Sequence, residues 1–339
     1  MNRTRYVLIG NGAAGNRAAE LLRERDPDGV ITIVSRGTLL QYRRDRLNDL
    51  FDGRTDWRDY LVNAPDFYTE KGIRVRRQST VVKVDADAGS VVFANGEAIG
   101  FDKLLVATGG ERYLPDDLLD FADQCHFFDS YEEAMTLRRA LPDGGRVLIL
   151  GGDMAAIGLA RKLREHGHGV ALVPHERSFR PHLVDEAAQG PYLAALEKMG
   201  IEVLAPGPID GIEAADSGSG AKRVRFAGGG EATADIVLPA YGSVPAVDFM
   251  HGTGVEIERG ILVGATQRSA KENVWAAGNA CQLEPTEKGI HIYNRDLVLQ
   301  MGEVAARDMI GDPLELFEPG YAQELALDAD GGLQSIFFD

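Results

Sequence analysis

The 339-residue chain has only two cysteines, Cys125 and Cys281. Two cysteines build no disulfide framework, so a reducing compartment, the cytoplasm, is expected. Basic residues are also short: 36 Lys and Arg against 52 Asp and Glu give a net charge of -16. That balance argues against nucleic acid or an anionic membrane surface as partner. No run approaches the roughly 18 apolar residues of a membrane helix, so no membrane insertion is expected. Met1 to Arg5 leads straight into the apolar run Tyr6 to Ile9, without the apolar region and cleavage site of a signal peptide. The histidines are scattered, and no Cys/His cluster has zinc or iron-sulfur spacing, so no metal is expected. No Gly-x-Ser-x-Gly element marks a hydrolase.

What is present is ordinary for a globular chain: 44% hydrophobic and 26% charged residues, in a length that suits about two domains. Forty glycines follow no period, but they cluster. Tyr6-Val-Leu-Ile9 is an apolar run of the buried-strand type, followed by Gly10-Asn-Gly12-Ala-Ala-Gly15, a helical pattern over Ala18 to Arg25, and a β-branched strand, Val30-Ile-Thr-Ile-Val34. The pattern recurs about 140 residues later. Arg146 to Leu150 reads as a strand, Gly151 to Ala156 as a turn, Ile157 to His166 as a helix and Gly169 to Val173 as a second strand. Each copy has a distal partner, since Phe101 to Gly109 resembles Ala234 to Gly242. Repetition on this scale predicts duplicated domains rather than a solenoid. Glycine-rich turns at Asp216 to Gly220 and Gly228 to Gly230 flank a short strand, Arg223 to Phe226.

Gly10-x-Gly12-x-x-Gly15 stands between a strand and a helix, the context of a dinucleotide fingerprint. The first glycine permits the tight turn and the second lets a pyrophosphate approach the backbone. The third lets helix and strand pack, the helix N-terminus faces the phosphate charge, and Ala13 and Ala14 between the glycines are cofactor-binding candidates. The ribose-binding acid expected after the second strand is replaced by Ser35, followed by Arg36. Serine still hydrogen-bonds a hydroxyl. Arg36 faces the adenosine half of a ligand or is a solvated loop residue.

Together with these glycines, Tyr42-Arg-Arg44-Asp-Arg-Leu47, Ala107-Thr-Gly109, Ala240-Tyr-Gly-Ser-Val-Pro245 and Val274-Trp-Ala-Ala-Gly-Asn279 make five motifs in order. In them the chain resembles the pyridine nucleotide-disulfide oxidoreductases, and within them the ferredoxin and rubredoxin reductase-like branch, over roughly residues 4–311. The resemblance implies an α/β fold of two Rossmann-like dinucleotide-binding domains, the second inserted in the first. The FAD-binding domain would take 1–118 and 248–311, the NAD(P)-binding-like domain 119–247, and 312–339 would be a C-terminal tail. It implies FAD on Gly10, Gly12 and Gly15, with Arg44 neutralising the pyrophosphate and the Val81 backbone meeting the adenine. Ala107, Thr108 and Gly109 would lie at the crossover. Gly278 and Asn279 would stand where the family has Gly-Asp against the ribityl chain. Tyr293, Asn294 and Arg295 either meet the flavin edge or simply start the last helix, expected over about Leu297 to Met309.

The sequence departs from the family elsewhere. The second fingerprint reads Gly151, Asp153, Ala156, so a carboxylate stands where backbone would meet pyrophosphate. Gly151, Gly152, Asp153, Met154 and Ala155, with His175 and Arg177 after the next strand, are the nicotinamide-site candidates; His175 and Arg177 contact a 2′-phosphate or are ordinary loop residues. The redox cysteine pair is missing, and Asp45 stands where single-cysteine relatives carry sulfur. A C-terminal interface domain does not fit after Gly311, and the tail ends in the apolar Ile336 to Asp339. The leading expectation is an FAD-dependent oxidoreductase transferring electrons between NAD(P)H and a protein carrier, iron-sulfur in type. The alternatives are a flavin-bearing subunit of a larger redox complex with an altered or lost nicotinamide site, and a non-catalytic nucleotide-binding assembly module. An oligomer or a heteromeric complex is compatible with each.

Overall fold

The computed structural model describes residues 3–205, 207–215, 220–283, 295–313, 316–317 and 325–334. Tyr293 and Asn294, the turn residues 216–219 and the apolar end Ile336 to Asp339 lie outside them. The chain forms two compact units. The first comprises Met1–Tyr42, Leu61–Glu111 and Val244–Ala322, and the second Arg43–Tyr60, Arg112–Ser243 and Gln323–Asp339. Most of the second unit is thus an insertion in the first. The sequence boundaries differ from these: they put 43–60 and 112–118 in the first domain and 244–247 in the second, and left the whole of 312–339 as a tail.

The first unit is built on a parallel five-stranded sheet in the order Val274–Ala276, Lys103–Val106, Arg5–Ile9, Val30–Val34, Arg74–Arg76. Its strands are apolar runs because both faces are covered: Leu8, Ile33, Leu104, Leu105 and Val106 are buried. The helix Ala13–Arg25 covers it through Ala18, Ala19, Leu21 and Leu22, a stripe at helical spacing. That helix begins five residues before the apolar pattern does. Its C-terminal end is closed by Arg23, whose guanidinium donates to the carbonyls of Asp26 and Gly29. The helix Arg295–Ile310 packs beside it, and a Cβ on Gly302 would lie 2.3 Å from the Ala14 carbonyl oxygen, so only glycine permits this approach. A separate antiparallel sheet, Val81–Asp85, Ser90–Phe93 and Ala98–Gly100, completes the unit.

The second unit repeats the plan. Its parallel sheet runs Glu202–Val203, Gly169–Pro174, Arg146–Gly151, Ile236–Ala240. The helix Met154–Glu165 follows the central strand and buries Ile157, Leu159, Ala160 and Leu163. An antiparallel sheet, Ile209–Ala214, Lys222–Phe226 and Glu231–Ala234, again precedes the parallel strand that pairs on the other side of the central one. The strand pair seen as similar in sequence, 103–106 and 236–240, takes the same place in both units, beside the central strand and opposite the strand that follows the helix. Both units are therefore Rossmann-like, and each has its switch of strand order at the central strand, where such sheets hold ligands.

Candidate functional site

In the first unit three sequence motifs that lie far apart in the chain converge because of strand order. Gly10 to Gly15 leave the end of Arg5–Ile9, Ala107 to Gly109 leave the adjacent Lys103–Val106, and Gly278 and Asn279 leave Val274–Ala276 beyond it. Gly10 has φ +126°, and a Cβ there would lie 2.0 Å from the Ala107 carbonyl oxygen. A Cβ on Gly15 would lie 2.2 Å from the Gly10 carbonyl oxygen, whereas nothing stands within 4 Å of one on Gly12. The first and third glycines are thus packed against backbone, and the second faces open space. Gly12 caps the helix Ala13–Arg25 with no side-chain hydrogen bond. The turn is held from behind by Asn16, which donates to the Asn11 side chain and the Gly12 carbonyl and accepts 2.6 Å from the Tyr68 hydroxyl. Sequence reading missed this brace; its only signal was a polar residue on the apolar helix face.

The rim of the cradle follows. The Thr108 hydroxyl donates to the Ala246 carbonyl at 2.8 Å, and the Gly109 carbonyl accepts from the Ala246 N–H. Gly278 has φ +72°, and its nearest neighbours are Val298 and Ala14. The Oδ1 of Asn279 is buried and has no hydrogen-bond partner among the described residues, a costly state for a polar atom unless a donor is supplied. The Ser35 hydroxyl accepts from the Gly37 N–H, and Arg36, two-thirds exposed, pairs at 3.7 Å with Glu111. Val81 pairs with Phe93 in the antiparallel sheet. Arg44 starts the 3-10 turn Arg44–Leu50, a segment of the second unit, and its guanidinium donates to the Asp129 carbonyl.

The second fingerprint keeps the backbone of a glycine turn but fills it. Gly151 and Gly152 have φ +97° and +92°. Asp153 is the N-cap of the helix Met154–Glu165, and its Oδ1 accepts from the Ala156 N–H at 2.9 Å. The Met154 N–H donates to the Arg180 carbonyl at 2.8 Å, and the Gly152 carbonyl accepts from the Phe179 N–H at 2.8 Å. The Ser178 hydroxyl donates to the Gly151 carbonyl. Ala155 is exposed in the first turn, while Met154 is buried. His175 stands edge-on to Tyr241, ring centroids 4.9 Å apart, and burial lowers its basicity. Arg177 donates to the Tyr241 carbonyl and stacks 4.1 Å over the Tyr113 ring. The sequence put the Asp153 carboxylate in the turn but not as a cap, since the helix was expected from Ile157; the closure by 178–180 was not read either, because loop backbone groups leave no mark on a side-chain pattern.

Burial pushes the thiols of Cys125 and Cys281 up to about 12, so neither is a thiolate at neutral pH. Among the described residues no group of three or more His, Cys, Asp or Glu could hold a metal ion, and no helix is long and apolar enough to cross a membrane.

Comparison with known proteins agrees with this architecture. A chain of the covalent putidaredoxin reductase–putidaredoxin complex superposes with a TM-score of 0.82 at 20% identity, covering 94% of this chain and 78% of that one. The epsilon subunit of NADH-dependent phenylglyoxylate dehydrogenase from Aromatoleum evansii is 26% identical over 317 residues, 91% of this chain and 73% of that protein. The electron transfer subunit of assimilatory nitrate reductase from Bacillus subtilis is 26% identical over 98% of this chain, which spans only 42% of that protein. The family model for pyridine nucleotide-disulphide oxidoreductases matches residues 4–294, and the chain belongs to that family.

Proposed function

We propose that this chain is an FAD-dependent oxidoreductase that passes electrons between NAD(P)H and a protein carrier, iron-sulfur in type. The family is one of FAD-binding proteins that use NAD(P)H. The observation that carries the reading is the contrast within one cradle: open space over Gly12, packed glycines on either side, and a buried Asn279 acceptor that lacks a donor among the described residues. These fit FAD. The first-turn N–H groups of Ala13, Ala14 and Gly15 would meet its pyrophosphate, Asn279 would accept from a ribityl hydroxyl, and Ala107, Thr108 and Gly109 would wall the cradle. Ser35, Arg36 and Val81 would meet the adenosine end. The chemistry FAD supplies when bound is two-electron uptake from a hydride and release of single electrons. The protein's part is to hold and orient it. With the Cys281 thiol buried, the Cys125 thiol partly so, and both protonated, a carrier protein rather than a cysteine is the natural recipient. Two free cysteines are in keeping with a reducing compartment, the cytoplasm.

A second reading, a flavin-bearing subunit of a larger redox complex, is favoured by the filled second fingerprint and by relatives that are themselves named subunits. An anaerobic visible spectrum of the purified protein, titrated with NADH and then NADPH, separates the two. Bleaching by a nucleotide supports the reductase and names its donor. Bleaching by dithionite alone supports the subunit, and a folded but colourless protein that takes up no FAD overturns both.

A further inference from the structure

The two fingerprints of this chain are alike in fold and opposite in occupancy. A dinucleotide pyrophosphate needs room over the turn and helix N–H groups without partners. The first turn offers the room at Gly12 and has no side-chain cap. In the second turn the chain's own groups take every corresponding place. The Asp153 carboxylate accepts from the Ala156 N–H, and the Ala155 and Gly242 N–H groups also face it. Arg180 takes the Met154 N–H, and Phe179 and Ser178 take the carbonyls of Gly152 and Gly151. The two side chains placed to read an adenosine are engaged as well, His175 against Tyr241 and Arg177 on Tyr241 and Tyr113. The cradle is complete without a ligand, and its anion is covalently attached.

We propose that Asp153 is a built-in competitor of the nucleotide pyrophosphate, which keeps the affinity of the second domain for nicotinamide dinucleotides low. The mechanism is direct. A bound pyrophosphate would place two negative charges against a carboxylate that already holds the same N–H donors, and entry requires that carboxylate to leave its cap. Asp153 is therefore a specificity-determining residue acting against the nucleotide. Its consequence for electron flow rests on the flavoprotein reading above: the flavin exchanges electrons with a protein partner more readily than with free nucleotide.

The test is calorimetric titration of the oxidised, flavin-loaded protein with NAD+ and with NADP+, neither of which reduces or oxidises it. The wild type is expected to bind both only at millimolar concentration or above. Asp153→Gly, which restores the fingerprint glycine, is expected to tighten at least one of them by about tenfold or more, a change of about 1.4 kcal/mol. Asp153→Asn keeps a helix cap and removes the charge, and it decides the matter if the glycine variant does not fold. A rise in affinity in either folded variant supports the proposal. Micromolar binding by the wild type, or no rise in any folded variant, overturns it. A protein that fails to hold FAD sinks the functional reading, and the comparison of wild type with the Asp153 variants still isolates the second turn, because the first is the same in all of them.

Discussion

The Asp153 carboxyl is pushed up to about 6 from its ordinary 3.8. Burial is the main cause; the Ala156 N–H opposes it, the charge of Asp129 adds to it, and the Gly242 and Ala155 N–H groups pull it back. Because the folded value lies above the unfolded one, the folded protein holds this proton more tightly. The resulting stability is fully present below about pH 4 and is lost as the pH rises through about 6. The cap at the second fingerprint is therefore strained when ionised. Asp153→Asn, neutral at every pH, is expected to match the wild type near pH 4 and to exceed it near pH 8 by about 2–3 kcal/mol. Denaturant unfolding of both proteins at the two pH values checks this. A difference that does not change with pH would show that the carboxylate is at ease in its cap.

At the scale of elements, the two helices that flank the first cradle are set by one glycine. A Cβ on Gly302 would press on the backbone of Ala14, in the first turn of the fingerprint helix. Gly302→Ala is expected to cost about 1–3 kcal/mol by overpacking and also to lower flavin content, because the helix end that would meet the phosphates must move. Thermal unfolding and the ratio of flavin to protein absorbance read the two effects. The neighbouring Glu303→Gln breaks the 2.8 Å pair with Arg17, which is about one-third exposed on both sides, and is expected to cost under about 1 kcal/mol and leave the flavin in place. Equal losses in the two variants would refute a role for close helix approach. The strand–turn–helix units were legible because burial on both faces of a parallel strand demands an apolar run and the turns demand glycine. Val30 to Val34 reads from sequence as it folds, and Arg146 to Leu150 gains only Gly151. The helix starts at Ala13 and Met154 were not legible, since their first turns carry no apolar stripe. The loop over Gly151 and Gly152 was not either: it is held by the Arg180 carbonyl and by Phe179 at φ +65°, and neither belongs to a periodic pattern. Nor does the placing of 43–60 with the second unit follow from its residues. It depends on distant partners, as when Asp52 meets Lys162 and His166.

For the whole molecule the largest electrostatic fact is its net charge of -16. The arginine-rich segment 43–60 does not offset it locally. Its five arginines are matched by five aspartates, with Arg43 on Asp45, Arg46 and Arg54 on Asp49, and Arg58 on Asp56. A field of this sign slows the approach of any acidic protein and speeds that of a basic one, and salt weakens both effects over a Debye length of about 8–10 Å. The sign of the salt dependence therefore depends on the charge of the carrier offered to it. With an acidic iron-sulfur carrier as acceptor, the second-order rate of electron transfer from the reduced protein is expected to rise as ionic strength increases from about 10 to 150 mM, because screening removes repulsion. With a basic carrier the rate is expected to fall over the same range. Stopped-flow reoxidation at several salt concentrations measures both slopes. A rate that falls with salt for the acidic carrier would mean that docking is governed by a local positive surface strong enough to overcome the field of the whole chain. The paired arginines of 43–60 argue against that surface lying there.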